Sequence, residues 1–476
     1  MQHIHFIGIG GAGMSGLAEI ALARGIAVSG SDLSDSAKLK ELRKLGAKIH
    51  IGHRASNVPA DTDVVVYTSA VRKSDNPEYA VAALRQIRCV RRAEFLAELI
   101  HSLQTVAVAG THGKTTTTSM IAHILLHAGL DPVVSVGASV FELGGKNAHA
   151  GKGNLAIVEA DEYDRSFLAL HPFIAVMTTL EAEHLDIYRD LADLQDTFVQ
   201  FANAGSQLGM VVVNIDEPAL RSILPRLTKK IVTFGIGSEE AKYRAKNVSL
   251  DALHSTSTIF RGGSPAGTLT LSVPGEHNIK NALAAIAVAE SLAIPFEMIA
   301  EALSQFRGAE RRAQVIGDAN GILVIDDYAH HPTEIEATLK ALRTGYPGRR
   351  ILAAFQPHTF TRTRDFAAEF GQVFAAYADA LYLLDVYPAR EKPIEGITSE
   401  LILQSARAAG LERSQIVHSL NELPAAIGGD ATASDIVITL GAGTITEAAP
   451  AIKSYLRSQS STQGPERLPR RTAAVG

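Results

Sequence analysis

The segment Val106-Ala107-Val108-Ala109-Gly110-Thr111-His112-Gly113-Lys114-Thr115-Thr116-Thr117 constrains the fold more than any other. An apolar run enters a glycine-flanked loop, and a lysine followed by hydroxyls then opens a helix. Glycines let backbone N–H groups converge on a phosphate, and the helix N-terminus adds the positive end of its dipole. Lys114 can then reach the terminal phosphates and Thr115 can hold Mg²⁺. Gly110, Thr111, His112, Gly113 and Thr116 complete the candidate ATP loop. The strict spacing of such loops places glycine where this chain has Val108. The competing reading is an ordinary glycine turn with a capping threonine, but the order of strand, glycines, lysine and threonine favours the phosphate.

A second glycine turn, Gly8-Ile9-Gly10-Gly11-Ala12-Gly13, follows the apolar residues 3–7 and precedes a helical pattern, and Asp32 closes the next strand candidate. This spacing seats a pyrophosphate on a helix N-terminus and brings an acid to a ribose hydroxyl. A dinucleotide such as NAD and a UDP-sugar satisfy that chemistry equally well. A dehydrogenase, however, leaves the central loop unexplained.

Apolar runs alternate with helical patterns along most of the chain, which predicts α/β architecture. In the first hundred residues the strand candidates are 3–9, 26–29 and 64–68, with a helix over 14–24. A central section has strands at 105–109, 155–158, 174–179 and 210–213. Polar and apolar alternation over 241–273, with Gly262-Gly263, predicts antiparallel hairpins before an Ala-rich helix from Asn281, so the central sheet is expected to be mixed. A third section repeats the alternation at 322–325, 350–355, 380–384 and 435–440. With 476 residues, three domains are expected: 1–100, N-terminal and Rossmann-like; 101–310, a central P-loop ATPase; and 311–457, C-terminal and Rossmann-like. Residues 458–476, rich in Ser, Pro, Gly and Arg without periodicity, are expected to be a disordered tail.

A net charge of -5 gives no general attraction to nucleic acid or anionic lipid, so neither partner is expected. Cys89 is the single cysteine, which excludes an intrachain disulfide and fits a reducing cytoplasm. No apolar run approaches the roughly 18–20 residues of a membrane span, and residues 1–9 lack the build of a signal peptide.

The strand candidate Leu155-Ala156-Ile157-Val158 ends in Glu159, where a parallel sheet presents a metal-binding acid at its carboxyl edge. Alone, such an acid is an ordinary solvated strand end, and the phosphate loop upstream raises it to a Mg²⁺ ligand candidate. Asp161 and Glu162 stand under the same condition. Within Glu181-Ala182-Glu183-His184-Leu185-Asp186, His184 reaches the same edge but carries no signal of its own.

Together with Glu159-Ala160-Asp161-Glu162, Gly275-Glu276-His277-Asn278-Ile279-Lys280-Asn281, Arg311-Arg312, Asp326-Asp327-Tyr328-Ala329-His330-His331-Pro332, Phe355-Gln356-Pro357-His358 and Tyr387-Pro388-Ala389-Arg390, these loops give a sequence that closely resembles the Mur ligase family over residues 3–455. The resemblance implies an N-terminal domain for a UDP-sugar, a central ATPase domain and a C-terminal domain that helps bind nucleotide and amino acid. It implies a cytoplasmic enzyme, monomer or homodimer, that uses ATP as co-substrate with Mg²⁺ or Mn²⁺. The acid is then UDP-N-acetylmuramate and the incoming amine L-alanine.

By family position, Lys114 contacts the transferring phosphate, and Thr115, Glu159 and His184 hold metal. Asn278, Arg312 and Asp327 contact ATP, Asp327 through the ribose. Gly10, Gly11, Gly13, Asp32 and Ser69 contact the UDP-sugar. The implied catalytic set is Lys114, Glu159, His184 and Arg312, although Arg312 unaided reads as a surface cation. Several relatives carry a carbamylated lysine at the metal site, but residues 153–228 contain no lysine, a feature of the L-alanine members. Tyr163-Asp164 departs towards ligases that attach a recycled tripeptide, L-alanyl-γ-D-glutamyl-meso-diaminopimelate, and that alternative stays open. His330 and His331 suit a metal by type; a structural or nucleotide-proximal role is expected.

Overall fold

The computed structural model describes residues 1–68, 71–181, 187–389 and 391–459. The chain divides into two compact units, Met1–Glu310 and Arg311–Gly476.

The first unit holds two sheets. In the first, five parallel strands run in the order Lys48–Ile51, Ala27–Asp32, His3–Ile7, Val64–Tyr67, Arg88–Arg91. His3–Ile7 is buried throughout, as a central parallel strand with both faces covered must be. The chain leaves it through Gly8 and enters the helix Ala12–Ala23. That helix buries Met14, Leu17, Ala18, Ile20 and Ala21, and ends at Gly25, whose φ of +77° lets Ile26 N–H return to the Ala21 carbonyl. The strand order reverses beside His3–Ile7, so the glycine turn opens at a topological switch point, where such sheets bind ligands.

The second sheet has ten strands and is mixed, as expected. Gln104–Ala109 lies at its centre between Ile174–Met177 and Leu155–Glu159, all parallel. Tyr243–Asp251, His254–Arg261 and Ser264–Leu271 are the expected antiparallel hairpins, and they extend this sheet. The helix expected from Asn281 begins earlier, spanning Glu276–Ser291. Gly275 at φ +93° starts it without a side-chain cap, and its polar first turn hid the onset.

A single apolar cluster joins the two sheets. Phe6, Met14 and Leu17 of the first share it with Ala107, Val133, Ala148 and Val158 of the second. The helix Ala12–Ala23 approaches the strand Lys146–Ala150 closely: a Cβ on Gly16 would sit 3.0 Å from the Ala148 Cβ. Lys146 pairs with Glu19 across the same contact at 3.0 Å.

The second unit carries six strands in the order Gln314–Ala319, Ile322–Asp327, Ile436–Leu440, Ile351–Phe355, Ala380–Leu383, Ser414–Ile416, parallel except for the first. Its last helix, Ala448–Gln459, includes Ser458 and Gln459, so the tail expected from 458 is helical for two residues; Leu456 and Ile452 bury its inner face. Residues 460–476 of that tail lie outside the described residues. Among the described residues, no helix is long and apolar enough to cross a membrane.

Candidate active site

Two turns dominate the first unit. The central one connects Gln104–Ala109 to the helix Lys114–His127. Gly110 has φ +147°, and a Cβ there would collide with Thr178 Oγ1 and sit 2.9 Å from the Thr179 amide. Gly113 has φ +81°, and its Cβ would lie 2.6 Å from Asn281 Oδ1. Both conformation and space therefore require glycine. Thr178 and Thr179, just past Ile174–Met177, pin the loop: Thr178 Oγ1 donates to the His112 carbonyl at 2.5 Å, and His112 N–H donates to Thr179 Oγ1 at 2.7 Å. Thr117 donates to Asn281 Oδ1 at 3.2 Å, and Asn281 donates to Asn278 Oδ1 at 3.2 Å. Asn278 thus belongs to the scaffold of the loop, with its own amide on the Pro274 carbonyl at 2.7 Å.

The lysine and the hydroxyl point in two useful directions. Lys114 Nζ donates to the Gly110 carbonyl at 2.6 Å and to both Glu162 oxygens at 2.9 Å. Glu162 has a fully buried side chain, and Tyr188 donates to its carbonyl at 2.6 Å. Thr115 Oγ1 faces Glu159 Oε2 at 3.0 Å, and Gly137 N–H donates to that oxygen at 2.7 Å. Beside them, burial pushes the Asp161 carboxyl up, helped by Glu162 and opposed by Lys114. A hydroxyl facing a carboxylate oxygen is a hard, all-oxygen donor set of the kind Mg²⁺ prefers. His112 Nε2 lies 3.6 Å from Glu181. His184 lies outside the described residues.

The N-terminal turn is built on Asp32. Asp32 Oδ2 accepts the Gly10 N–H at 2.8 Å, and Oδ1 accepts that of Leu33 at 2.8 Å. The acid read as a ribose ligand therefore also clamps the turn. Gly11 precedes the helix with no side-chain cap, which leaves the N-terminal amides to the backbone or a ligand. A Cβ on Gly13 would lie 2.9 Å from the Arg92 guanidinium, so a cation stands at that terminus. Ser69 lies outside the described residues.

In the second unit, Asp327 ends the strand Ile322–Asp327. Its Oδ2 accepts the Ala313 N–H and its Oδ1 the Ala329 N–H, both at 2.7 Å. Burial pushes its carboxyl up to about 6, opposed by the positive charge of Arg312. Arg311 and Arg312 lie over the Tyr328 ring, at 4.8 and 5.3 Å from its centroid. His331 caps the helix Pro332–Gly345 in a capping box with Glu334, and His330 Nδ1 lies 3.2 Å from Glu334. Glu334 accepts the backbone N–H groups of His330 and His331 at 3.0 and 3.4 Å, so both histidines stand at the start of that helix. Arg390 lies outside the described residues.

The phosphate loop missed its partners at the sequence level. Thr178 and Thr179 follow the strand Ile174–Met177, Gly137 lies on Val133–Val140 and Asn281 on Glu276–Ser291; none of these was read as a loop partner, although Asn281 stood in a quoted motif and Glu162 beside Asp161.

A glycine loop between a central parallel strand and a helix opened by Lys114, a second glycine turn in the same compact unit and a separate α/β unit are the parts of a multidomain nucleotide-using enzyme. Residues 3–103 match the Mur ligase family catalytic domain, 108–289 the Mur ligase middle domain and 311–443 the Mur ligase glutamate ligase domain. The chain belongs to the Mur ligase family, whose members use ATP. It is 46% identical over 457 residues, 96% of this chain and 99% of the other, to a UDP-N-acetylmuramate–L-alanine ligase of Trichlorobacter lovleyi. The solved UDP-N-acetylmuramate-alanine ligase of Thermotoga maritima superposes with a TM-score of 0.82 at 30% identity, covering 97% of this chain and 100% of that one. A murein peptide ligase of Psychrobacter arcticus gives 0.70 at 26% identity, covering 96% and 99%.

Proposed function

We propose that this chain joins L-alanine to the carboxylate of UDP-N-acetylmuramate, with ATP converted to ADP and phosphate, in the synthesis of peptidoglycan precursors. The observation that carries the reading is the pairing of two anion-binding turns on one packed core, one with Lys114 and the facing Thr115 and Glu159, the other with Asp32. Relatives of the same named activity, 44–46% identical over nearly the whole chain, support the substrates.

The chemistry follows from charge. A carboxylate oxygen of the sugar nucleotide attacks the γ-phosphorus and ADP leaves. The L-alanine amine, having lost a proton, attacks the acyl phosphate carbon, and inorganic phosphate leaves the tetrahedral intermediate. Loop amides of 110–113 and Lys114 hold the phosphates, with Lys114 moving from Glu162 to the transferring phosphoryl oxygens. Thr115 and Glu159, with His184, are the residues that would hold Mg²⁺, or Mn²⁺ in its place; bound there, the ion neutralises phosphate charge. Arg312, Asn278 and Asp327 serve the nucleotide, Asn278 by holding Asn281 against the loop. Gly10, Gly11, Gly13, Asp32 and Ser69 serve the UDP-sugar. Fixed cations and amides in a site that excludes water contribute most of the rate in such transfers. The domains in this reading are 1–100, 101–310 and 311–457, and the enzyme works in the cytoplasm as a monomer or homodimer.

The test is phosphate release from ATP and Mg²⁺ with UDP-N-acetylmuramate, supplying L-alanine, glycine, L-serine or L-alanyl-γ-D-glutamyl-meso-diaminopimelate in parallel. L-alanine is expected to be preferred. Release with the tripeptide alone would move the chain to the recycling ligases, and release with none would refute both.

A further inference from the structure

Glu78 is absent from every role assigned above, yet its side chain is completely buried in the first sheet's domain. It stands in the first turn of the helix Pro77–Leu84, which Asn76 caps by accepting the amides of Glu78 and Tyr79 at 2.9 and 3.0 Å. A buried carboxylate is costly unless its lone pairs are filled. Here they are: Oε2 accepts Ser31 Oγ at 2.5 Å and faces His5 Nε2 at 3.2 Å, while Oε1 accepts Asn57 Nδ2 at 2.6 Å and the Arg54 N–H at 3.2 Å. These donors hold its carboxyl below its ordinary range against the opposing effect of burial.

What these donors are attached to gives the network its meaning. The Ser31 carbonyl accepts the N–H groups of Gly8 and Ile9 at 2.9 and 3.0 Å, so Ser31 fixes the start of the glycine turn, and its neighbour Asp32 fixes Gly10. On the other side, Asn57 also donates to the Gly52 carbonyl at 2.9 Å, and Gly52 N–H returns to the Asp32 carbonyl at 2.7 Å. One carboxylate therefore holds two loops at the carboxyl edge of the sheet: the turn 8–13 and the segment 52–57 after the strand Lys48–Ile51. Past the last ladder pair these loops are joined through Asp32, by the Gly52 N–H on its carbonyl and the Gly10 N–H on its carboxylate, and Glu78 adds a second, buried tie between them.

We infer that Glu78 is a positioning residue for the sugar nucleotide, holding the glycine turn and the 52–57 segment in the geometry that receives the UDP-sugar. The inference rests on the reading of the glycine turn as the UDP-sugar site. Glu78 touches no substrate and acts through Ser31 and Asn57.

Three variants of the full chain test it: Glu78→Ala, which removes both ties, Ser31→Ala, which keeps the carbonyl bonds to Gly8 and Ile9 but frees Ser31 from Glu78, and Asn57→Ala, which frees the segment after Lys48–Ile51. Phosphate release is measured with each substrate varied in turn. Loss of hydrogen bonds to a buried charge is expected to raise KM for UDP-N-acetylmuramate about tenfold or more in Glu78→Ala and about threefold to fivefold in each single-arm variant. KM for ATP and L-alanine should stay within about twofold of the parent, because the ATP loop is fixed by Thr178, Thr179 and Asn281. If Glu78→Ala does not fold, the two milder variants and their double carry the test. A merely structural role would lower thermal stability without a selective rise in one KM, and that outcome overturns the inference, as does an equal rise for all three substrates. Gly10→Ala separates the two claims. If it leaves the sugar-nucleotide KM unchanged, the turn is not the site; if it raises that KM while the Glu78, Ser31 and Asn57 variants do not, only the positioning role fails.

Discussion

Removing Lys114 should have two separable effects, one on stability and one on chemistry. Its ammonium lies 2.9 Å from both oxygens of Glu162, whose side chain is fully buried, while that of Lys114 is 15% exposed. Lys114→Ala removes the cation paired with this carboxylate. Breaking one side of a buried pair costs roughly 3–5 kcal/mol, because the remaining charge stays desolvated. The residual exposure of Lys114 places the expectation at the lower end, about 3 kcal/mol. In a domain of this size that corresponds to a fall in Tm on the order of 6–10 °C. Removing a cation from the developing phosphoryl charge should also lower kcat by about 10²–10³-fold. The double variant Lys114→Met with Glu162→Gln replaces the pair by near-isosteric neutral groups, so most of the lost Tm should return while activity stays down. Scanning calorimetry and phosphate release, run on the parent, Lys114→Met, Glu162→Gln and the double variant, complete the cycle. An equal Tm loss in the single and double variants would refute the claim that breaking the Lys114–Glu162 pair causes the destabilisation. Recovery of activity in the double variant would refute the assignment of Lys114 to the phosphate.

Three further outcomes are expected. Gly113→Ala, strained at φ +81° and pressed against Asn281, should raise KM for ATP by about tenfold or more in steady-state assays and leave KM for the sugar nucleotide within about twofold. EDTA should abolish phosphate release and added Mg²⁺ restore it, and Glu159→Gln should shift the Mg²⁺ titration to at least about tenfold higher concentration, since one of its two oxygens becomes a donor facing Thr115 and Gly137. Asp327 has a folded pKa of about 6, above its unfolded value, so the folded state binds the extra proton. Its contribution to stability is therefore greatest below about pH 4 and is lost as pH rises to about 6, by roughly 3 kcal/mol for two units. The Tm difference between parent and Asp327→Asn, followed from pH 4 to 7, should move against the parent as pH rises, and a flat difference would refute the shift.

Much of the fold was legible because it is written in periodicity and glycine. The apolar strands at 3–7, 105–109 and 436–440 are central and doubly covered, so they read as continuous hydrophobic runs. Strands such as Lys48–Ile51 and Arg88–Arg91 were not legible. They lie at sheet edges, half polar, and are strands because a neighbour pairs with them. The two glycine turns were visible for the same reason that Gly113 cannot be replaced: their backbone geometry restricts the residue type. Loop partners such as Thr178 and Thr179 leave no such mark, and a hydrogen bond between residues 164 apart, as between Thr117 and Asn281, has no sequence spacing to detect. Asp327 shows the limit from the other side: it was named only through the family resemblance, the strand was expected to stop at 325, and neither its place at the strand's end nor the Ala313 and Ala329 amides on its oxygens could be read.

The contact of Gly16 with Ala148, and the apolar cluster that continues from one sheet into the next, also determine what the enzyme can measure. If the two glycine turns are the anion seats proposed above, the packed core they share sets the gap between them. A donor molecule is then gauged by the length of its spacer from diphosphate to carboxylate: one with the right span presents its acid to the phosphoryl group, and a shorter or longer one does not. Selection by span requires no pocket shaped to every atom of the sugar, and a bulkier residue at position 16, where the helix after the glycine turn meets Ala148, would relax it.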